Sequence, residues 1–132
     1  MFNKILLSLI LTSSLSFASL ENMEASPTSI KNIKIIDIRT PAEWRETGII
    51  KNAYTIMFFD EKGGYDVDKF ISKLNKVVKK DEKFAIICRT GNRTTTIADF
   101  LANKLGYNLV NLKGGVVNLI KKYGYKLTPF KD

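Results

Sequence analysis

Phe84-Ala85-Ile86-Ile87 is an unbroken apolar run, bounded by Lys83 on one side and by Cys88-Arg89 on the other. A stretch this short has no polar face to offer water, so it reads as a β-strand buried on both faces. Such a strand needs covering layers above and below it, which points to a mostly parallel sheet. The rest of the chain supplies them. Ile33–Ile38 is an Ile-rich strand bounded by Asn32 and Pro41. Thr40-Pro41-Ala42-Glu43 is a helix start, with a Thr cap, Pro in the first turn and an acid at the positive end of the helix dipole. That helix spans about Pro41–Glu46 and stops before Gly48, and Ala53–Met57 is a second short strand.

After a loop at Phe58–Tyr65, the apolar residues Val67, Phe70, Ile71, Leu74, Val77 and Val78 recur at spacings of three and four. This is one face of an amphipathic helix, closed by Lys79-Lys80-Asp81. Ile97, Phe100, Leu101 and Leu105 mark a further helix that begins near Thr94 and ends at Gly106. Leu109–Leu112 is a strand, and Gly114-Gly115 turns into a last helix at Val116–Tyr123. Strands alternating with helices give an α/β fold of three layers, a central mostly parallel sheet with helices on both faces.

Met1–Ala18 carries Lys4, an apolar stretch from Ile5 to Leu11 and Ser16-Phe17-Ala18, the pattern of a secretory signal peptide cleaved after Ala18. Ser and Thr crowd the stretch after Leu11, against the roughly 20 mostly apolar residues of a spanning helix, so no stable membrane anchor is expected. The expected location is periplasmic or secreted. The polar segment 19–29, with Pro27, reads as a flexible lead-in, and 30–132 as one domain. The chain has 21 Lys and Arg against 13 Asp and Glu. The lysines at 69, 73, 76, 79, 80 and 83 are scattered and fall mostly on the polar side of one helix, which argues against a nucleic-acid partner.

There is no His and one Cys. Imidazole-based triads and dyads, His-ligated metals, internal disulfides and multi-Cys metal sites are all excluded. Cys88 stands where the buried strand ends and a helix is about to begin, with Cys88-Arg89-Thr90-Gly91-Asn92-Arg93 between them. In open α/β sheets ligands bind at the carboxyl ends of strands, and the amides at a helix start point at whatever sits there. Those donors, with Arg89 and Arg93, would stabilise a thiolate on Cys88, and Gly91 permits an anion-binding loop. A thiolate in such a cradle suits attack on sulfur, phosphorus or arsenic of a small oxyanion. Packed out of solvent's reach with its loop neighbours turned away, the same cysteine would be a core side chain.

Three segments resemble the rhodanese family of sulfurtransferases. Asp37-Ile38-Arg39-Thr40-Pro41-Ala42-Glu43-Trp44 is similar to the family's opening motif, Cys88 through Thr94 to its active loop, and Leu112-Lys113-Gly114-Gly115-Val116 to its closing turn. The resemblance implies that Cys88 accepts sulfur as a persulfide, that Arg93 holds the substrate anion and that Arg89 adds charge at the rim. Thr90, Gly91 and Asn92 would complete the substrate loop, with Asp37, Arg39 and Thr94 in support. For Asp37 and Arg39 a structural ion pair is an equal expectation. The six-residue loop is similar in length to the sulfurtransferase branch, whereas the phosphatase and arsenate-reductase branch has one residue more. Ile49 stands where the family often has His, and Asn52 where it often has Gly; Asn tolerates the left-handed conformation that such a turn needs. Trp44 is expected to pack in the core.

The resulting expectation is a sulfurtransferase without cofactor or metal. It would take sulfur from thiosulfate or polysulfide and pass it to cyanide or a thiol. A persulfide carrier serving a protein acceptor is the alternative, and arsenate reduction or phosphate-ester hydrolysis a weaker one.

Overall fold

A computed structural model describes residues 18–132. The leader expected at 1–18 lies, apart from Ala18, outside the described residues. Five strands form one sheet: β1 (Ser19–Glu24), β2 (Lys34–Asp37), β3 (Tyr54–Thr55), β4 (Lys83–Ile87) and β5 (Asn108–Lys113). Their order is β1-β5-β4-β2-β3, and every pairing is parallel. The helices are α1 (Pro41–Thr47), α2 (Val67–Val77), α3 (Asn92–Asp99) and α4 (Gly115–Tyr123).

The uniformly apolar strand takes the central place, and its side chains alternate between two cores. Phe84 and Ile86 face a cluster with Ile36, Phe70, Leu74, Ile97 and Leu101, so α2 and α3 cover that side. Ala85 and Ile87 face the opposite cluster with Ile35, Val110, Leu112, Val116 and Leu119, where α4 packs. Burying a side chain of the Ile, Leu or Phe class contributes about 1.5–3 kcal/mol, and β4 does so on both faces at once. The lysines of α2 at 69, 73 and 76 point to solvent on its other side.

Two differences from the sequence reading have physical causes. Of the segment expected as a flexible lead-in, 19–29, Ser19–Glu24 is instead β1, an edge strand. It pairs along its whole length with β5, from Ser19 against Asn108 to Glu24 against Lys113. Glu24 accepts from Lys122 at 2.6 Å, from the Tyr123 hydroxyl at 2.8 Å and from Asn118 at 3.0 Å, which fastens the end of β1 to α4. The helix expected from Thr94 starts at Asn92, and its last turn widens into a π-helical segment at Phe100–Lys104. There Leu105 N–H reaches back to the Phe100 carbonyl at 3.1 Å. Asn52 does take the left-handed conformation, with φ of 68°.

The chain beyond α4 returns across the molecule to α1. Ile49 and Thr128 exchange backbone hydrogen bonds of 2.8 and 2.7 Å, Phe130 packs on Trp44 with ring centroids 5.4 Å apart, and Arg45 meets Asp132 at 3.3 Å. Among the described residues, no helix is long and apolar enough to cross a membrane.

Candidate active site

Cys88 follows directly on β4, the middle strand, so the fold delivers its sulfur to the carboxyl edge of the sheet. The side chain is buried, only 1% exposed, and joins the apolar cluster beneath it. Its loop neighbours nevertheless face it. Gly91 N–H donates to Sγ at 3.2 Å, and the Thr94 hydroxyl lies 3.7 Å from the sulfur while bonding the Gly91 carbonyl at 3.2 Å. The sequence reading placed the sulfur in a ring of donors; the structure keeps the donors and sinks the sulfur to the floor of the loop.

The glycines of the loop and of the closing turn make this possible. Gly91 has φ of 95°, and a Cβ there would come within 2.9 Å of the Gly114 nitrogen. Gly115 backs so tightly against the loop that a Cβ would meet the Arg89 carbonyl oxygen at 2.3 Å. With no side chains intervening, the first amides of α4 reach the loop backbone: Val116 N–H bonds the Cys88 carbonyl and Val117 N–H the Arg89 carbonyl, both at 3.0 Å. In a planar trans peptide the N–H points opposite to the C=O, so the Arg89 and Thr90 amides are aimed away from α4. Neither donates to any described group. The first amides of α3 lack helical partners, and Gly91 at its cap offers no side chain to them.

The charged residues divide into three groups. Asp37 and Arg39 form a buried pair: Arg39 donates through Nε at 3.0 Å and Nη2 at 2.8 Å to the Asp37 carboxylate, and Trp44 Nε1 donates to the same group at 3.1 Å. Arg39 also holds the end of α1, giving hydrogen bonds of 2.8 Å to Thr47 Oγ1 and to the Gly48 carbonyl. Trp44 is buried against this pair, as its expected packing role requires.

Arg93 of the loop is engaged by α1. Both of its terminal nitrogens donate to Glu43 of α1, at 2.7 Å each. Burial pushes the Glu43 carboxyl up, but the Arg93 hydrogen bond, the Thr40 amide and the Arg93 charge outweigh it and bring it down to about 2. The Glu43 hydrogen bond raises Arg93 further above its ordinary value, against some desolvation. Glu43 also closes the capping box of α1, since Thr40 and Glu43 bond each other's backbone amides. Arg89 is the third case: its side chain, like those of Thr90 and Asn92, is exposed and has no hydrogen bond or ion pair among the described residues.

Of the residues expected at the site, Cys88, Gly91 and Thr94 converge on the sulfur, while Arg89, Thr90 and Asn92 form the open rim. Asp37 and Arg39 lie behind α1 as scaffold. Glu43 is the member to which the sequence reading gave only a helix-start role; its place in the opening motif, one residue before Trp44, was the available signal for more. No group of three His, Cys, Asp or Glu side chains converges as a metal site among the described residues.

Comparison with known proteins agrees with this fold. Residues 18–122 match the family described as the rhodanese-like domain. The "Putative thiosulfate sulfurtransferase, mitochondrial" of Schizosaccharomyces pombe is 31% identical over 102 residues, covering 74% of this chain and 70% of that protein. The uncharacterized protein RP600 of Rickettsia prowazekii is 31% identical over 99 residues, covering 72% of this chain and 78% of its own length. The crystal structure of a rhodanese-related protein from Thermoplasma volcanium superposes with a TM-score of 0.57 at 27% identity, over 76% of this chain and 93% of that one.

Proposed function

Since the chain belongs to the rhodanese-like domain family, we propose that it is a sulfurtransferase that carries sulfur as a persulfide on Cys88. One observation supports this above the others: a sulfur at the end of the central strand receives the Gly91 amide at 3.2 Å, beside backbone donors left unbonded. A donor aimed at sulfur suits a sulfur that bears negative charge.

In the first half-reaction, Cys88 Sγ attacks the outer sulfur of thiosulfate or of a polysulfide. The S–S bond of the donor breaks, and sulfite or a shortened polysulfide leaves with the bonding pair. In the second half-reaction, cyanide or a thiolate attacks the terminal sulfur of the Cys88 persulfide and regenerates the thiolate. The unbonded amides of Arg89 and Thr90 support this reading, since free backbone donors suit the donor's anionic end. No step needs an imidazole, a cofactor or a metal.

The burial of Cys88 supports a second reading, a carrier that holds its persulfide until a protein acceptor opens the loop. Mass spectrometry after exposure to thiosulfate or polysulfide separates the two. The enzyme gains one sulfur on Cys88 that cyanide removes within seconds, while a carrier keeps it until a partner is added. Cys88→Ser abolishes transfer; cyanide-dependent activity in that variant would overturn the mechanism. The leader pattern supports a periplasmic or secreted place of action, and intact mass of the exported protein checks it, with Ser19 expected as the first residue.

A further inference from the structure

Residues 125–132 lie beyond the family match, which stops at 122, yet they touch the element that reaches into the loop. That element, α1, has 7 residues, fewer than the roughly 12–15 that an isolated helix needs to hold itself. Its C-terminal end is clamped from outside. Ile49 and Thr128 exchange backbone hydrogen bonds of 2.8 and 2.7 Å, and Phe130 covers the Trp44 ring with centroids 5.4 Å apart. The approach is close enough to require glycine before Ile49: Gly48 has φ of 85°, and a Cβ there would come within 2.5 Å of the Thr128 carbonyl oxygen. Leu127 packs against the same apolar cluster as Ile50.

Glu43 precedes Trp44 on this clamped helix. Its two oxygens take the two terminal nitrogens of Arg93 at 2.7 Å each, a forked geometry that fixes the plane of the guanidinium. The remaining N–H donors of Arg93 are left for an anion at the loop. After Glu43, the charges that act on Arg93 are those of Cys88 and Asp37. The side chains of Arg89 and Lys113, the exposed cations of the loop and the closing turn, are bonded neither to α1 nor to the last segment. We propose that residues 125–132 are a positioning strap: by clamping α1 they hold Glu43, and through Glu43 they keep Arg93 oriented toward the Cys88 loop for an anionic reactant. This rests on the reading above of Cys88 as the reacting sulfur. Thr128 and Phe130 are positioning residues, remote from the reacting atoms. With the strap released, α1 shifts and Arg93 loses its fork. An anion then binds only by re-ordering a long, hydrated side chain, while Arg89 and Lys113 contribute as before.

Alkylation of the lone cysteine by two reagents of similar size tests this. Iodoacetate carries a negative charge and iodoacetamide none, so the ratio of their rates on the full chain reads how well the loop holds an anion, and general loosening cancels. Phe130→Ala changes no charge. It is expected to shift the emission of Trp44, the one tryptophan, to the red. It is also expected to lower the iodoacetate-to-iodoacetamide ratio about threefold to tenfold, the scale of immobilising one long side chain. Phe130→Tyr, which keeps the ring, restores both. In an Arg93→Ala background nothing is left to orient, so adding Phe130→Ala leaves the ratio within about twofold. An unchanged or raised ratio in a folded Phe130→Ala protein overturns the proposal, and so does a full further fall in the Arg93→Ala background. If Phe130→Ala does not fold, Phe130→Leu takes its place: a fall of about twofold or more is expected, and an unchanged ratio overturns the proposal. Turnover of thiosulfate checks the underlying reading separately. In the strap variant KM should rise with kcat nearly unchanged, and a fall in kcat at constant KM speaks against the strap. A wild type that takes no sulfur from thiosulfate or polysulfide overturns the sulfurtransferase reading, and the alkylation ratio still decides the strap.

Discussion

Asp37–Arg39 and Glu43–Arg93 are both arginine–carboxylate pairs rooted in the same short stretch of sequence, yet they are built for different ends. The first joins residues two apart, is cut off from water, and has its oxygens and nitrogens further engaged by Trp44, Thr47 and Gly48. The second joins residues 50 apart and stays 27% and 20% exposed on its two side chains. Arg45–Asp132, at 53% and 69% exposure, completes the gradient. Burial makes the first pair rigid and expensive to disturb, while partial exposure leaves the second adjustable. The inner pair fixes where α1 lies, and the outer one lets α1 influence the loop.

The sharpest way to break this contrast is Asp37→Ala. It strands the Arg39 charge in the interior, which costs about 3–5 kcal/mol. Urea denaturation should show most of the stability gone, and a loss below about 1 kcal/mol would mean that the pair is not the scaffold described here. Glu43→Ala removes the α1 capping box together with the hold on Arg93, with an expected cost of about 1–2 kcal/mol. Glu43→Gln, which retains the cap, should cost less in the same experiment.

Acid titration sharpens the comparison. Glu43 is lowered from its ordinary 4.5 to about 2 in the folded chain. Its contribution to stability is therefore complete above pH 4.5 and is lost as the pH falls from there toward 2. Stability of wild type minus that of Glu43→Gln, measured by urea melts between pH 5 and pH 2, should narrow over that window. A constant difference would contradict the Arg93 linkage. The smallest effect belongs to Arg45→Ala, expected within about 0.5 kcal/mol of wild type because its pair is open to water and salt.

What could be read from the chain and what could not divide along similar lines. The continuous run at β4, the spacing from Val67 to Val78 and the cap at Thr40 each encode a structure that their own neighbours enforce. Strand β1 has no such signature. Leu20 alone of its residues packs against a core, and its strand character comes from the free edge of β5. The position of Cys88 between a buried strand and a helix start was legible, because loop chemistry is local. Its depth was not, because that depends on how Gly115 presses α4 onto the loop from the far end of the chain. The Glu43–Arg93 contact escaped for the same reason. Each residue had a plausible local role, Glu43 at a helix start and Arg93 beside the cysteine, and only the folded sheet brings them together.

The stretch that crosses back to α1 bears on how this protein should be produced and handled. The family match stops at residue 122, so a recombinant version trimmed there would uncover the Trp44 indole and leave the Ile49 amide and carbonyl without their Thr128 partners. Such a fragment would carry every signature residue and still present a sticky aromatic spot beside the helix that grips Arg93.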